Sequence, residues 1–526
     1  MAFSRDAYRE LEDIVGPENI SADLAVLDTY TFTGTYGLKS IDARYQAFRP
    51  EAVILPGGTK EVQAVIKLCN RRGIMSKASS TFFGAHNTAG SEGVVLLDMR
   101  RMNRILDIDE KNMFILLEPY VSFAQVQAEA MKRGLNCNII GAGSQTSFFA
   151  SYTSMDGNNS QAISQGYSGR NLLGVEWVLP TGEVMRVGAP GSSAGWFSGD
   201  GPGPSLRGIV RGYKGACGGL GVFTKCAGHL HPWPGGSEME IIGISPNYEA
   251  AVPPLFEYHI IEFPDWDRCA DAIYKIGEAK IAYALHKAGG PGSHGAIVTG
   301  SNDEYWAKRQ AGELVIPRIS ICVVLAANSP GEHEYQVKVL DRILEDTGGK
   351  ICPVGEERTF KNRDYLHMIK TCFTPRVAFR LGGSFHVDGI VGTESMDNIA
   401  VALKVDDVLR DKYAEKGLIM DDGTSNAWGA PMEDTHYALA ECGHPISSTD
   451  ETSIKGMRQM MEEGHALAIK TPISLSWRAL GTGSYGISTA EIAPLCFDYD
   501  KWMRKIKKAF DPNTASDPST YAFPEE

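Results

Sequence analysis

A chain of 526 residues exceeds what one ordinary core organises, so two domains are expected. Hydrophobic residues make up 43% and charged residues 22%, the balance of a globular protein. With 51 basic against 64 acidic residues the net charge is -13, and no basic tract stands out, which argues against nucleic acid or an anionic membrane as partner.

The N-terminus, Met1 to Asp6, lacks the apolar segment of a signal peptide. The longest strongly apolar run, Ile319 to Ala327, is far too short to span a bilayer. Ten cysteines are scattered without a CxxC pair, so neither a zinc site nor a disulfide framework is suggested. A reducing cytoplasm is the expected setting.

Residues 1–48 read as an N-terminal helix followed by an irregular polar segment. Pro50 to Pro56 is a short strand closed by proline. Thr59 is placed to cap the next helix, Glu61 to Arg71, whose apolar positions Val62, Val65, Ile66 and Cys69 share one face and which Gly73 ends. Ile74 to Ala78 and Val94 to Leu97 are short strands, and between them lies Ser79 to Gly90, Ser-Ser-Thr-Phe-Phe-Gly-Ala-His-Asn-Thr-Ala-Gly. Small and hydroxylated residues let backbone amides approach a ligand and converge on one anion, although such a stretch also serves as a plain connection. Phe114 to Pro119 is a further strand. Ser122 with Gln125 makes a capping box for a helix reaching Arg133, and Gly134 stops it. Strands and helices alternating at this density argue for α/β or α+β layers rather than a β-sandwich.

Residues 137–235 are crowded with glycine and short polar residues, among them Gly141, Gly143, Gly157, Gly166, Gly169, Gly174, Gly182, Asp156, Asn158 and Asn159. So many permissive positions suit a segment that wraps a ligand, or a set of tight turns. Leu172 to Leu179 and Glu183-Val184 form a strand, turn and strand about Thr181-Gly182. A second glycine cluster, Gly208 to Gly221, precedes Val222-Phe223-Thr224-Lys225. Beyond Pro232-Trp233-Pro234-Gly235-Gly236 helices (Trp266 to Ala279, His333 to Asp346, Met396 to Ala414) alternate with apolar strands such as Ile319 to Ala326, as in a separate domain. In the last helix, Tyr499 to Phe510, one apolar face holds Tyr499, Trp502, Met503, Ile506, Ala509 and Phe510. Lys505, Lys507 and Lys508 favour its negative end, and Asp511-Pro512-Asn513 stops it.

These blocks, in this order, resemble the flavoprotein superfamily typified by vanillyl-alcohol oxidase and 4-cresol dehydrogenase. Arg49 to Pro56 resembles the family's opening, and Leu97 to Ile105 the strand and turn after its pyrophosphate loop. Gly174 to Glu183 resembles its hairpin. Gly219 to Lys225, ending in His231-Pro232-Trp233-Pro234-Gly235, is the most recognisable block, and Lys505 to Asn513 matches the final helix. The resemblance implies an α+β architecture: a two-part FAD-binding domain of the PCMH (p-cresol methylhydroxylase) type built from both chain ends, with an inserted α/β cap (substrate) domain. The expected division is 1–236, 237–470 and 471–526.

It also implies the site. Pro56 and Ser79, Ser80, Thr81, Phe82, Phe83, Gly84, Ala85, His86 and Asn87 fall at the FAD pyrophosphate, and His86 is placed either to tether FAD covalently or to hydrogen-bond it. Gly157, Asn158, Asn159, Gly166, Tyr167, Ser168, Gly221 and Val222 fall along the ribityl chain and ring. Gly481-Thr482-Gly483-Ser484-Tyr485-Gly486 resembles the family's Gly-x-Gly-x-Tyr-Arg segment; Tyr485 keeps the tyrosine, but Gly486 replaces the arginine. The acid expected near flavin N5 falls at Ser164. Both departures count against a 4-hydroxybenzyl substrate. Arg376, Arg380 and His386 are even-numbered, so an unbroken strand would turn them to one face, suited to an anionic substrate. His436 and Arg478 are further candidates, and His229 with His231 belongs to a structural block rather than a metal site; no metal is expected. The expected activity is FAD-dependent oxidation, with hydride passing from a small oxygenated substrate, aromatic or carboxylated, to flavin N5. A redox-neutral reaction within the superfamily, that of a lyase or of an ether-forming or ether-cleaving enzyme, is the alternative. The expected partners are a small-molecule substrate, an electron-acceptor protein and further copies of the chain.

Overall fold

The computed structural model of the chain describes residues 3–31, 48–82, 88–141, 143–154, 157–211, 216, 218–244, 247–287, 295–314, 317–373, 380–421, 427–447, 449–471, 473 and 493–518, with 383–389, 391, 427, 428 and 493 described by backbone alone. Apolar runs cut short by proline and glycine become the strands of two small sheets near the N-terminus. In the first, β1 (Ile20–Ser21), β2 (Ala52–Ile54), β3 (Met75–Ser79) and β4 (Val94–Asp98) lie in the order β1-β2-β4-β3, with β2 and β3 parallel to β4. Helices α1 (Arg5–Val15) and α2 (Thr59–Arg72) bury Leu11, Val62, Val65 and Ile66 against it. Thr59 does not cap α2. Its hydroxyl donates to Glu176 at 2.8 Å, while the Glu61 carboxylate accepts from the Gly57 amide at the helix start.

In the second sheet β5 (Ile105–Asp109), β6 (Phe114–Leu117), β8 (Leu172–Val178), β9 (Val184–Val187) and β10 (Val222–His229) are antiparallel in the order β5-β6-β10-β8-β9. β7 (Leu135–Asn136) pairs with β11 (His231–Pro232) beside it. Helix α3 (Phe123–Met131) begins with the expected capping box at Ser122 and Gln125. The last helix, α10 (Tyr499–Phe510), returns to this core: Met503, Ile506 and Phe510 pack into it, and Phe510 stacks on the buried Trp177 at 5.1 Å between ring centroids. Tyr499 and Trp502, expected on the same apolar face, are 45% and 57% exposed. The buried arc of α10 is therefore narrower than its hydrophobic pattern.

The middle of the chain forms a seven-stranded sheet ordered β15-β12-β14-β13-β17-β18-β16. Its strands are β12 (Phe256–Glu262), β13 (Ala282–Lys287), β14 (Ser320–Ala326), β15 (Lys350–Ile351), β16 (Gly383–Glu394), β17 (Ala427–Met432) and β18 (Tyr437–Ser447). Helices α5 (Trp266–Ala279), α6 (Pro330–Thr347), α8 (Met396–Glu415) and α9 (Glu451–Lys470) cover one face. Among the described residues, helix α7 (Arg358–Lys370) covers the β12–β14–β13 end of the other. Helix α10 near the C-terminus thus shares a core with the N-terminal strands, and the middle of the chain forms a separate sheet, an α+β fold. No helix among the described residues is long and apolar enough to cross a membrane.

Candidate functional site

The stretch expected to bind an anion departs from the C-terminal end of β3 (Met75–Ser79). Ser79 is buried opposite Asp98, and the Thr81 hydroxyl accepts from the Ser147 amide at 3.0 Å. Phe82 takes φ 55, a left-handed conformation that costs a non-glycine residue about 1 kcal/mol. Its ring packs edge-on against Tyr30, whose hydroxyl donates to Asp98. Strain held in place by packing on both sides marks functional loops. Phe83, Gly84, Ala85, His86 and Asn87 lie outside the described residues.

The C-terminal segment closes this loop from below. Residues 515–517 run alongside β3, with the Ser76 amide donating to the Ala515 carbonyl and the Asp517 amide to the Ser76 carbonyl. Asp517 accepts from the Gly90 amide at 2.8 Å and pairs with the buried Lys77 at 3.8 Å. Ser516 accepts through its hydroxyl from the Gly221 amide. Lys507 donates to the carbonyls of Gly219 and Ser516 and to Asp511. Sequence reading missed Lys77, Lys507, Ser516 and Asp517, because their partners are far apart in the chain. The one local signal was a lysine at a position of α10 that faces the core.

The glycine-rich stretch is gathered as expected. The Gly157 carbonyl accepts from the Ser168 amide, the Ser168 hydroxyl and Asn138, and the Gly141 amide donates to the Asn158 carbonyl. A Cβ on Gly157 would come 2.5 Å from Ser168 Oγ and 2.9 Å from Ser151 Cβ, so glycine is required by close approach. Gly166 caps the short helix α4 (Ala162–Gln165), and Tyr167 brings its ring to 6.2 Å from Tyr437 of the cap. Gly221 has φ 90, Val222 is buried in the core opposite Val178, and Pro56 is buried just past β2.

This stretch meets the cap along a polar seam. Leu285 of β13 donates its amide to the Ser160 carbonyl, and Glu433 and Asp434 donate theirs to Ala162 and Ile163. Ser160 and His286 are 2.7 Å apart, Asn159 donates to Thr371 at 2.5 Å, and Gln127 and Gln161 both donate to the Ile369 carbonyl. The Tyr283 hydroxyl accepts from Asn136 and Gln165 at 2.8 and 3.1 Å. Tyr283→Phe would leave two buried amide donors unpaired and is expected to cost about 3 kcal/mol. Urea unfolding checks this, and an unchanged midpoint would contradict it. Glu433, Asp434 and Thr435 are all left-handed, a tight hairpin turn pressed onto α4 and tied by the Arg170–Glu433 ion pair.

Of the expected cap residues, Arg380 precedes β16 rather than lying on it. The strand begins at Gly383, so the even-number argument for Arg376, Arg380 and His386 fails. The Arg380 guanidinium donates to the carbonyls of Ala296 and Thr299 and to the Thr299 hydroxyl, and burial pulls its pKa down. His386 sits on β16 opposite His444, with its side chain outside the described residues. His436 is exposed at the hairpin turn, its ring edge-on to Tyr437. Arg376, Arg478 and Tyr485 lie outside the described residues. Ser164 donates to the Tyr283 carbonyl at 2.7 Å. His229 and His231 are 3.3 Å apart, and burial, then His229, pulls His231 down to about 3, so the pair is neutral. Among the described residues no group of three His, Cys, Asp or Glu is placed to hold a metal.

A family profile, the FAD binding domain, matches residues 50–188. The 4-cresol dehydrogenase [hydroxylating] flavoprotein subunit of Pseudomonas putida is 30% identical over 201 residues, 36% of each chain. The 1'-carboxy-chondrochloren decarboxylase of Chondromyces crocatus is 27% identical over 243 residues, 43% of this chain and 40% of that one. The chain therefore spans less than half the length of either relative. A crystal structure of p-cresol methylhydroxylase with substrate bound superposes with a TM-score of 0.74 over 99% of this chain and 97% of the other, at 17% identity. Residues 50–188 are thus an FAD binding domain, and the chain has the fold of p-cresol methylhydroxylase.

FAD is therefore the cofactor of this flavoprotein. The residues present fit it. Asn138 Oδ1, Gln161 Oε1 and Gln165 Oε1 are buried acceptors with no hydrogen-bond partner among the described residues. A flavin carries matching donors, a ring N–H and the ribityl hydroxyls, and a buried acceptor left unpaired is costly. Ser79 to Phe82 would hold the pyrophosphate, and the stretch from Gly157 to Ser168, with Gly221, the ribityl chain and ring. The flavin supplies two-electron chemistry when bound; the protein's part is to orient, to exclude water and to move a proton.

Proposed function

We propose that this flavoprotein is an oxidoreductase that takes hydride from a C–H bond of a small oxygenated substrate, with residues 1–236 and 471–526 holding FAD and 237–470 forming the cap. The observation that carries this reading is the docking of the segment around α4 on β13 and on the turn between β17 and β18, so that a substrate would lie where the cap meets the flavin. On this reading Tyr485, Arg478 and Arg376 act on the substrate, with His386, Arg380 and His436 as further contributors. A dehydrogenase among the relatives supports net oxidation and an electron-acceptor protein as partner. Anaerobic mixing with a panel of phenols, alcohols and 2-hydroxy acids tests it. Lasting loss of flavin colour with one class is expected, and dithionite reduction with no response to any class would contradict it.

A redox-neutral reaction is the second reading. It is favoured by Ser164, which stands where the superfamily's acid is expected and is committed to a backbone carbonyl. A decarboxylase among the relatives points the same way. Turnover without net flavin bleaching would select it.

A further inference from the structure

Every residue from Asn159 to Gln165 bonds to the cap or packs into it. Asn159 donates its side-chain amide to the Thr371 hydroxyl, and Ser160 Oγ lies 2.7 Å from His286 Nδ1. Gln161 donates to the carbonyls of Met368 and Ile369, Ser164 to the Tyr283 carbonyl and Gln165 to the Tyr283 hydroxyl. The carbonyls of Ser160, Ala162 and Ile163 accept from the amides of Leu285, Glu433 and Asp434, and the Ile163 side chain joins the apolar core that holds Ile276 and Leu285. Gly157 and Asn158, just before, are held within their own half by Ser168, Asn138 and Gly141.

The stretch has little shape of its own. α4 is a single turn of four residues, too short to persist as an isolated helix. Two of its carbonyls take donors from the cap, because Glu433 and Asp434 are left-handed and turn both amides onto α4. The end of α7 is the second hold. Thr371 turns left-handed at φ 47 and ends that helix; its carbonyl accepts from the Ser144 amide and its hydroxyl from Asn159. Thr371 is 1% exposed and Asn159 4%, so water cannot take the place of a lost bond between them.

We propose that the cap shapes the flavin site: residues 159–165 keep their flavin-binding form only while docked on the cap, and Thr371 is the positioning residue that holds them there through Asn159. This rests on the proposed division into flavin-holding and cap segments, and deepens it. A segment that is in its binding form for only part of the time binds its ligand more weakly in the same proportion. FAD binding and cap docking therefore strengthen one another by equal factors.

The test compares wild type, Thr371→Val, Thr371→Ser and Thr347→Val, each purified with FAD supplied, by hydrogen exchange and by the flavin-to-protein absorbance ratio after gel filtration. Valine keeps the shape of threonine and removes only the hydroxyl. Thr347 is the control: it is equally buried, in α6 of the cap, and its hydroxyl donates to the Ile343 carbonyl of its own helix. In Thr371→Val the amides of Gln165 and Gly166, which close α4, should exchange about tenfold faster than in wild type, and the flavin ratio should fall. Thr371→Ser and Thr347→Val should match wild type in both. Either measure unchanged in Thr371→Val overturns the proposal, as does a serine variant that behaves like valine or a Thr347→Val protein that loses as much flavin. If Thr371→Val does not fold, wild type decides: Gln165 and Gly166 should exchange at one rate with Leu285, Glu433 and Asp434, as a single opening unit, and separate rates overturn it. A wild type that takes up no FAD would defeat the flavin assignment itself, and the proposal with it.

Discussion

Gly221→Ala is expected to cost on the order of 3 kcal/mol and to strip the protein of flavin. Gly221 has φ 90, and a Cβ there would stand 2.4 Å from the Val178 carbonyl oxygen and 3.1 Å from the Leu179 carbonyl carbon and Pro180 Cδ. The nearest of these is backbone at the edge of the β8–β10 ladder, where Val222 pairs with Val178, so it cannot step aside. The left-handed conformation costs alanine about 1–2 kcal/mol, and overpacking about 1–3 more. Relief by tilting the peptide would break the bond from the Gly221 amide to Ser516. Urea unfolding and the flavin-to-protein absorbance ratio measure both effects. Gly208→Ala is the control: nothing lies within 4 Å of its added Cβ, and it should leave both quantities unchanged. A Gly221→Ala protein as stable and as yellow as wild type would contradict the account.

Lys507→Met is expected to cost about 3–5 kcal/mol, the range for removing one partner of a buried ion pair. The Lys507 ammonium donates to the Gly219 carbonyl at 2.6 Å, the Ser516 carbonyl at 2.9 Å and Asp511 at 2.5 Å. Asp511 also accepts from the amides of Ala515 and Ser516, so one charge pair folds the whole 511–517 turn. Burial pulls the Lys507 pKa down and Asp511 pulls it back, leaving a strained balance that methionine removes from one side only. Residues 511–517 should then come loose from β3. Hydrogen exchange at Ser76, Gly90 and Gly221 should speed up together, since Ser76 and Gly90 donate to Ala515 and Asp517 and Gly221 to Ser516. Lys507→Met combined with Asp511→Asn should cost less than the two single changes summed, because the partners share one interaction. Additive costs would mean that the pair does not organise the turn.

Helices with a cap and a clean apolar stripe were legible in the sequence. Trp266–Ala279 and Tyr499–Phe510 are observed at the expected bounds, the first capped by Asp265. Order along the chain carried the flavin assignment, since the blocks from Arg49 to Asn513 form a fixed succession. What stayed hidden depends on distant partners. Thr59 looks like a cap because its neighbours are helical, but Glu176, more than a hundred residues on, claims its hydroxyl. Trp502 has the right spacing to be buried, but it is 57% exposed, with the Lys505 ammonium over its ring. Arg380 and His386 are six residues apart, a strand's worth, yet a turn separates Arg380 from β16.

The central claim is that both chain ends fold around FAD. Its most direct test is the absorbance spectrum of the purified protein followed by acid precipitation and mass measurement of pellet and supernatant. The account predicts a yellow protein with equimolar FAD, found free in the supernatant or as added mass on the chain at His86. A colourless protein that takes up no FAD when it is supplied would contradict it.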